Sequence, residues 1–338
     1  MKKYIWCTAI LFGFLCLVSS AKISQENIQG KWKAKKVDRK ISLHMRIIQK
    51  RKFGDWQFSR YFQKSDFEGF EWEKEADFRL VRESGTLVFK GEFSKDSGSG
   101  NFSFHPNREF GTFLEEKGFR SVEDKDMLIL CLNDVTKKYI SDVFELGYSD
   151  ISFSKLISFA IHDVSIEYIK GIHALGYKAI TSSKLISFSI HDITVDFIKD
   201  LNFLGYKELD PSKIISFAIH DVTADYVKEL NSLGYKNIDP SSLISFSIHD
   251  VEPGFVRGLR ELGYADLSPS RLISFAIHDV TVDFIKDIQS AGYKDISPSH
   301  LISFRIHDID KKFIERVNKK WERKLTPGKV ISLKIHEF

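Results

Sequence analysis

The residues best placed to do chemistry form a ladder. His162, His191, His220, His249, His278, His307 and His336 follow one another at a step of 29 residues. Asp163, Asp192, Asp221, Asp250, Asp279 and Asp308 directly follow the first six. Ser158, Ser187, Ser216, Ser245, Ser274 and Ser303 stand four residues before them, on the same helical face. Imidazoles in a row suggest a metal site or a pH sensor, and serine, histidine and aspartate together suggest a nucleophile with its base. Geometry weighs against both. Ligands meet one ion at about 2.0–2.1 Å, whereas equivalent residues in adjacent packed helices stand about 8–10 Å apart at the backbone. His162, His191, His220, His249, His278 and His307 are therefore low-weight metal candidates. A catalytic set also needs the acid to orient the base and an oxyanion site beside the nucleophile. Neighbours on one helix do not readily meet both needs, and repetition of a whole set is what structure demands. The favoured role for each histidine is to close a helix end, its ring bonding the last carbonyls or complementing the dipole. The chain has no HExxH, no P-loop and no GxGxxG. No cofactor and no catalytic residue is expected.

A period of this length is the signature of stacked supersecondary units. One unit is Leu209–Asn237. Asp210 is a good N-cap, with Pro211 at the first helical position. Ile214, Phe217 and Ala218, with Ile215 and Ile219 beside them, make a first helix apolar around much of its girth, expected to be mostly buried. Asp221 ends it. Thr223 caps a second helix whose apolar face carries Tyr226, Val227, Leu230 and Leu233. Gly234 ends that helix in a left-handed conformation, and Tyr235 is placed to fold back onto it. The step continues upstream through Gly118-Phe119 and Gly147-Tyr148, which puts the start of the array near Pro106 with a lone second helix over Asn107–Lys117. Downstream, Trp321 replaces the expected glycine, and Arg305 and Lys334 replace the Ala or Ser of inner copies, as terminal units of a solenoid do.

Before the array the pattern is different. Lys2 and Lys3 precede an apolar run from Ile5 to Val18 and then Ser19-Ser20-Ala21, a signal-peptide pattern with cleavage expected near Ala21. Loss of those two lysines lowers the formal charge from +4 to +2. So neutral a chain gives no reason to expect nucleic acid, and no integral membrane span is expected after cleavage. Cys131 then remains alone, in the apolar run Met127–Leu132, and reads as a buried small hydrophobe. From Ile28 to Phe104 polar and apolar residues alternate with period two, as in Trp32–Lys35, Ile41–Arg46 and Thr86–Phe93. Ser94–Gly100 reads as a hairpin turn. The expected fold class is thus α+β. After residues 1–21, residues 22–105 form a small antiparallel β domain, a sandwich or partly open barrel of five to seven strands. Residues 106–338 form an α-solenoid of two-helix repeats.

The remaining patterns have structural readings. Lys31–Lys40 is a basic run and Asp66–Asp77 an acidic one, both read as solvated surface. The Phe159-type and Tyr177-type aromatic ladders are core packing between repeats. Lys170, Lys199, Lys228, Arg257 and Lys286 form a row that i,i+3 acids can pair.

The repeat IHDVT…F(I/V)K(D/E)L…LGY resembles the IHGVTPEFI-type repeats of secreted or membrane-anchored bacterial proteins, some attached to zinc-peptidase-type antibiotic sensors. The likeness covers Pro106–Phe338 well and the β region loosely. Asp221 stands where that pattern has Gly, and the peptidase part is absent. The resemblance implies no transferable activity. The leading expectation is a non-enzymatic extracytoplasmic protein, periplasmic or secreted, whose solenoid binds another protein or a cell-envelope component. One alternative is a carrier holding a small hydrophobic ligand in the β domain around Trp32, Trp56 and Phe89. The other is an enzyme with a site at the β/solenoid junction, where His44 and His105 would meet.

Overall fold

The computed structural model describes residues 28–48, 56–72 and 75–336; the expected leader lies outside them. The chain divides into two compact units, one ending at Thr136 and the other beginning at Lys137.

Period-two alternation in the first unit produces six strands: β1 Ile28–Val37, β2 Lys40–Ile47, β3 Gln57–Gln63, β4 Glu75–Arg82, β5 Gly85–Ser94 and β6 Ser97–Pro106. They form a single antiparallel sheet in the order β3-β2-β1-β6-β5-β4. The expected antiparallel β domain is present, and the described ladders make it one sheet with β3 and β4 at its edges, not the two sheets of a sandwich. Along β1, Ile28, Trp32 and Ala34 are buried, while Lys31, Lys33 and Lys35 face water. The register sets Trp32 opposite Met45 and Gly100. A Cβ on Gly100 would collide with the Lys90 carbonyl, and that same carbonyl accepts a hydrogen bond from Trp32 Nε1 at 3.2 Å. The chain after β3 folds over the buried face, bringing the Phe67 and Phe70 rings to 5.4 and 4.9 Å from Phe78. The β5–β6 turn is tighter than expected. Ser94 pairs with Ser97, so Lys95 and Asp96 alone make the turn, Lys95 at φ 53°. Ser97–Gly100, expected as turn, is strand.

Two helices follow, α1 Arg108–Glu116 and α2 Asp124–Leu132. Asn107 caps α1, accepting from Glu109 N at 3.0 Å. α2 packs on β5 and β6. Arg82 pairs with Asp134 at 3.0 Å, just past its end. These helices share the repeat step in sequence but belong to the sheet's compact unit, which ends at Thr136.

The second unit contains α3 Lys137–Val143, α4 Phe153–Ile161, α5 Ile166–Ala174, α6 Ser182–Ile190, α7 Val195–Phe203, α8 Pro211–Ile219 and α9 Ala224–Ser232. It continues through α10 Pro240–Ile248, α11 Pro253–Glu261, α12 Pro269–Ile277, α13 Val282–Ser290, α14 Pro298–Ile306, α15 Lys311–Lys320 and α16 Pro327–Ile335. Even-numbered helices from α4 onward are the first helices of the repeats and odd-numbered ones the second. Each first helix packs on the next first helix, and each second on the next second. The result is a solenoid of two helical layers.

The caps explain why each element starts and stops where it does. Asp210 Oδ1 accepts from Ser212 N at 2.7 Å, and Thr223 Oγ1 from Tyr226 N at 3.1 Å. Asp221 turns the chain between the two helices at φ 53°, and its equivalents in the neighbouring repeats do the same. Aspartate tolerates this left-handed region better than most residues, and a glycine would occupy it without strain. Gly234 ends the second helix at φ 91°. Where Trp321 replaces that glycine, α15 runs one residue longer and Glu322 takes the left-handed position at φ 49°. Between the layers, Phe159, Phe188, Phe217, Phe246, Phe275 and Phe304 are all fully buried.

Candidate functional site

The histidine ladder lies at the C-caps of the first helices. Each main-chain N–H, as in His220 to Ser216 O at 3.1 Å, continues the helical bonding. The expected ring-to-carbonyl bonds do not form among the described residues; the main chain does the capping. The serine hydroxyls are bonded to main-chain carbonyls and not to the imidazoles. Ser158, Ser187 and Ser216 each donate back to the carbonyl four residues earlier, at 3.0 Å. The aspartates sit in left-handed turns past the helix end, with Asp192, Asp221 and Asp250 exposed. The three residue types therefore share a helix end without forming a nucleophile–base–acid chain. Among the described residues, no group of three or more His, Cys, Asp or Glu is arranged to hold a metal ion.

A second ladder connects the repeats. Tyr177 Oη donates to Leu209 O at 2.9 Å, Tyr206 to Ile238 O at 2.8 Å and Tyr235 to Leu267 O at 2.8 Å. Tyr264 and Tyr293 repeat the bond to Ile296 and Leu325. These tyrosines do not fold back onto their own helix, as the sequence suggests. They reach 32 residues forward, past the first helix that follows them in the chain, and satisfy the carbonyl that enters the first helix of the repeat beyond it. Tyr168 and Tyr226 add a shorter bridge, donating to Ile193 O at 2.6 Å and Val251 O at 2.8 Å. Tyr148 makes the same bond to Ile180 O at 2.9 Å, and burial raises the pKa of every one of these phenols, Tyr148 to about 12.

The residues expected to line a site in the first unit take different surroundings. The Trp32 ring lies 5.3 Å from Phe78 and 6.1 Å from Phe89, edge to face, within the core. Trp56 stacks on Phe58 instead, at 5.9 Å. His44 bonds Ser59 Oγ at 2.7 Å and His105 bonds Ser103 Oγ at 3.1 Å. His44 is in register with Lys33, which pairs with Ser99. His105 lies six residues farther along β6, about 20 Å at strand rise, so the two rings do not meet. Cys131 is fully buried, its thiol pushed up to about 12 by burial, and Sγ donates to Gly85 O at 3.5 Å. Such a thiol is unreactive in the folded protein.

Two exposed surfaces escaped the sequence reading. On the second helices, Phe203 is 91% exposed. It belongs to a row that reads Ala174, Phe203, Ser232, Glu261, Ser290 and Lys319, different in nearly every copy. On the first helices, Ile161, Ile190, Ile219, Ile248, Ile277, Ile306 and Ile335 are each 50–55% exposed. These helices are thus not mostly buried: their C-terminal isoleucines stand half in water. The signal lay in the alignment of copies. This isoleucine row is invariant, while the buried row beside it takes Leu156, Ile214 and Val330.

Among the described residues, no helix is long and apolar enough to cross a membrane. A scan against protein-family models gives no match, and a search of curated proteins finds none similar to this chain.

Proposed function

We propose that the protein is a non-enzymatic binding or scaffold protein working outside the cytoplasm, which recognises a protein or a cell-envelope component with the second-helix layer of its solenoid. The Lys2–Ala21 pattern supports the location. The observation that carries the binding reading is Phe203, almost wholly exposed at the end of α7. Around it the second-helix surface changes from copy to copy: Gly171, Asp200, Glu229, Gly258, Asp287 and Arg316 occupy one equivalent position. A surface that repeated exactly once per unit would bind a partner in several registers. Variation around one aromatic anchor gives a single register. Aromatic anchors concentrate binding energy at interfaces. The carrier reading draws less support, because Trp32 and Phe89 pack against each other in the core.

The test is capture from a cell-envelope fraction with the wild-type chain and with Phe203→Ala, followed by affinity measurement on the captured component. Phe203→Ala should leave the melting temperature unchanged and weaken binding by about 2 kcal/mol, roughly 30-fold. A partner bound equally well by the variant would remove this surface from the reading.

A further inference from the structure

We infer that the outer face of the first helices is where two copies of this chain pair, about a twofold axis running along the stack of repeats. This face is on the opposite layer from Phe203, so the inference stands apart from the proposed partner site.

Its first support is a contrast within the molecule. The Ile157, Ser158 and Ile161 rows are identical in all seven copies of the first helix, from α4 to α16. Packing inside the solenoid does not demand this, because the Ile161 row is half in water. The fully buried neighbours have drifted more, as Leu156, Ile214 and Val330 show. The second-helix surface has drifted most. This half-exposed strip and the histidine that ends the helix beside it are the part of the first helix that is the same in all seven copies.

The chemistry of the strip selects an apolar occupant. Its serine hydroxyls are committed to carbonyls of their own helices, as in Ser216 to Ser212 O at 3.0 Å. The strip therefore offers isoleucine methyls and very few polar groups to read a sugar or a phosphate. Seven half-exposed isoleucines with the half-buried Ile157 row beside them approach the ~800 Å² per partner that a stable interface takes.

Charge selects a second copy and its orientation. Lys155, Lys184 and Lys213 border the strip at the N-terminal ends of the first helices; Asp192, Asp221 and Asp250 border it at the C-terminal ends. The two edges lie about 12 Å apart along a helix. A twofold axis along the stack makes first helices antiparallel across the interface. It then lays the lysine edge of one copy over the aspartate edge of the other. Every rung meets an equivalent rung, because both copies have the same step. This is an isologous contact, which closes at two subunits.

Sedimentation velocity on the full chain from about 1 to 100 μM decides the matter. The wild type should be a dimer. Ile219→Glu with Ile248→Glu, at the centre of the strip, should sediment as a monomer with unchanged circular dichroism and a dimer constant at least 100-fold weaker. Should those glutamates disturb folding, Lys184→Glu with Lys213→Glu changes only the edge and should weaken the dimer about tenfold at low salt. Ser216→Cys lies near the axis and should crosslink to its own counterpart under mild oxidation, with buried Cys131 silent. A wild type that stays monomeric at 100 μM overturns the inference, and so does a dimer that survives the glutamates. Co-sedimentation of a monomeric wild type with phosphatidylglycerol vesicles, lost in the glutamate variant, would also overturn it by making lipid the occupant.

Discussion

A tyrosine hydroxyl is the smallest unit that connects one repeat to the next. Tyr206 is buried and its bond to Ile238 O is 2.8 Å. Replacing it by phenylalanine keeps the ring and orphans a carbonyl, which should cost about 1–3 kcal/mol in thermal melts. The same bonds make the solenoid sensitive to base. Burial raises each phenol above its ordinary value near 10. A folded pKa above the unfolded one favours the neutral form, so the stability is fully present below pH 10. It is lost as pH climbs from 10 through the folded values, near 12 for Tyr148. We expect cooperative unfolding in that window, with phenolate absorbance and loss of circular dichroism appearing together. Tyrosines that ionise near pH 10 while the helices persist would refute the account.

At the scale of the element, the turn between first and second helices sets the repeat. Asp221 holds φ 53° on the exposed edge of the unit. A β-branched residue is poorly suited to that region. Asp221→Val should therefore lower stability by about 1–2 kcal/mol, while Asp221→Gly should change it by only a few tenths, since glycine gains backbone freedom but loses no strain-free geometry. Equal effects in chemical denaturation would mean that the aspartate carboxylate, not the backbone, matters here. The Lys199–Asp196 and Lys286–Asp283 pairs on the second helices are exposed, at 2.8 and 3.4 Å. Pairs of this kind add little, so the layers are held by their phenylalanine rungs and tyrosine bonds.

For the whole molecule, the ladder predicts which cuts the second unit tolerates. Deleting Leu209–Asn237 removes one complete repeat and joins Glu208 to Ile238. Tyr177 then finds the Ile238 carbonyl where Leu209 had been, and Tyr206 finds Leu267, so every rung keeps an acceptor. Repeat arrays sum local and nearest-neighbour terms, and the shortened protein should fold with part of its stability lost. Deleting only Leu209–Thr223 leaves α9 without its first helix and breaks the register. It should melt far lower, or not fold. Equal damage from the two deletions, followed by circular dichroism and thermal melts, would show a single cooperative core in place of a solenoid.

Local order was legible in the sequence because its causes lie within a few residues. Asp210 and Thr223 cap the N–H groups that follow them, Gly234 takes the left-handed turn, and the 29-residue step reports the stacked pairs. The alternating strands of the first unit were equally plain. Contacts between distant segments decided the rest. The apolar spacing made the first helix look mostly buried. Its neighbours cover Phe217 and Ile214 and leave Ile219 half in water. Tyr235 could fold back or reach forward, and only the carbonyl of Leu267, brought close by stacking, selects the second. His44 and His105 share a polar pattern, but strand register holds them about 20 Å apart. The helices over Arg108–Leu132 follow the repeat step yet cluster with the sheet, since β5 and β6 offer α2 an apolar surface. Sequence fixes what each segment prefers next to itself. Which apolar side is covered, and by what, depends on segments that only the folded chain brings together.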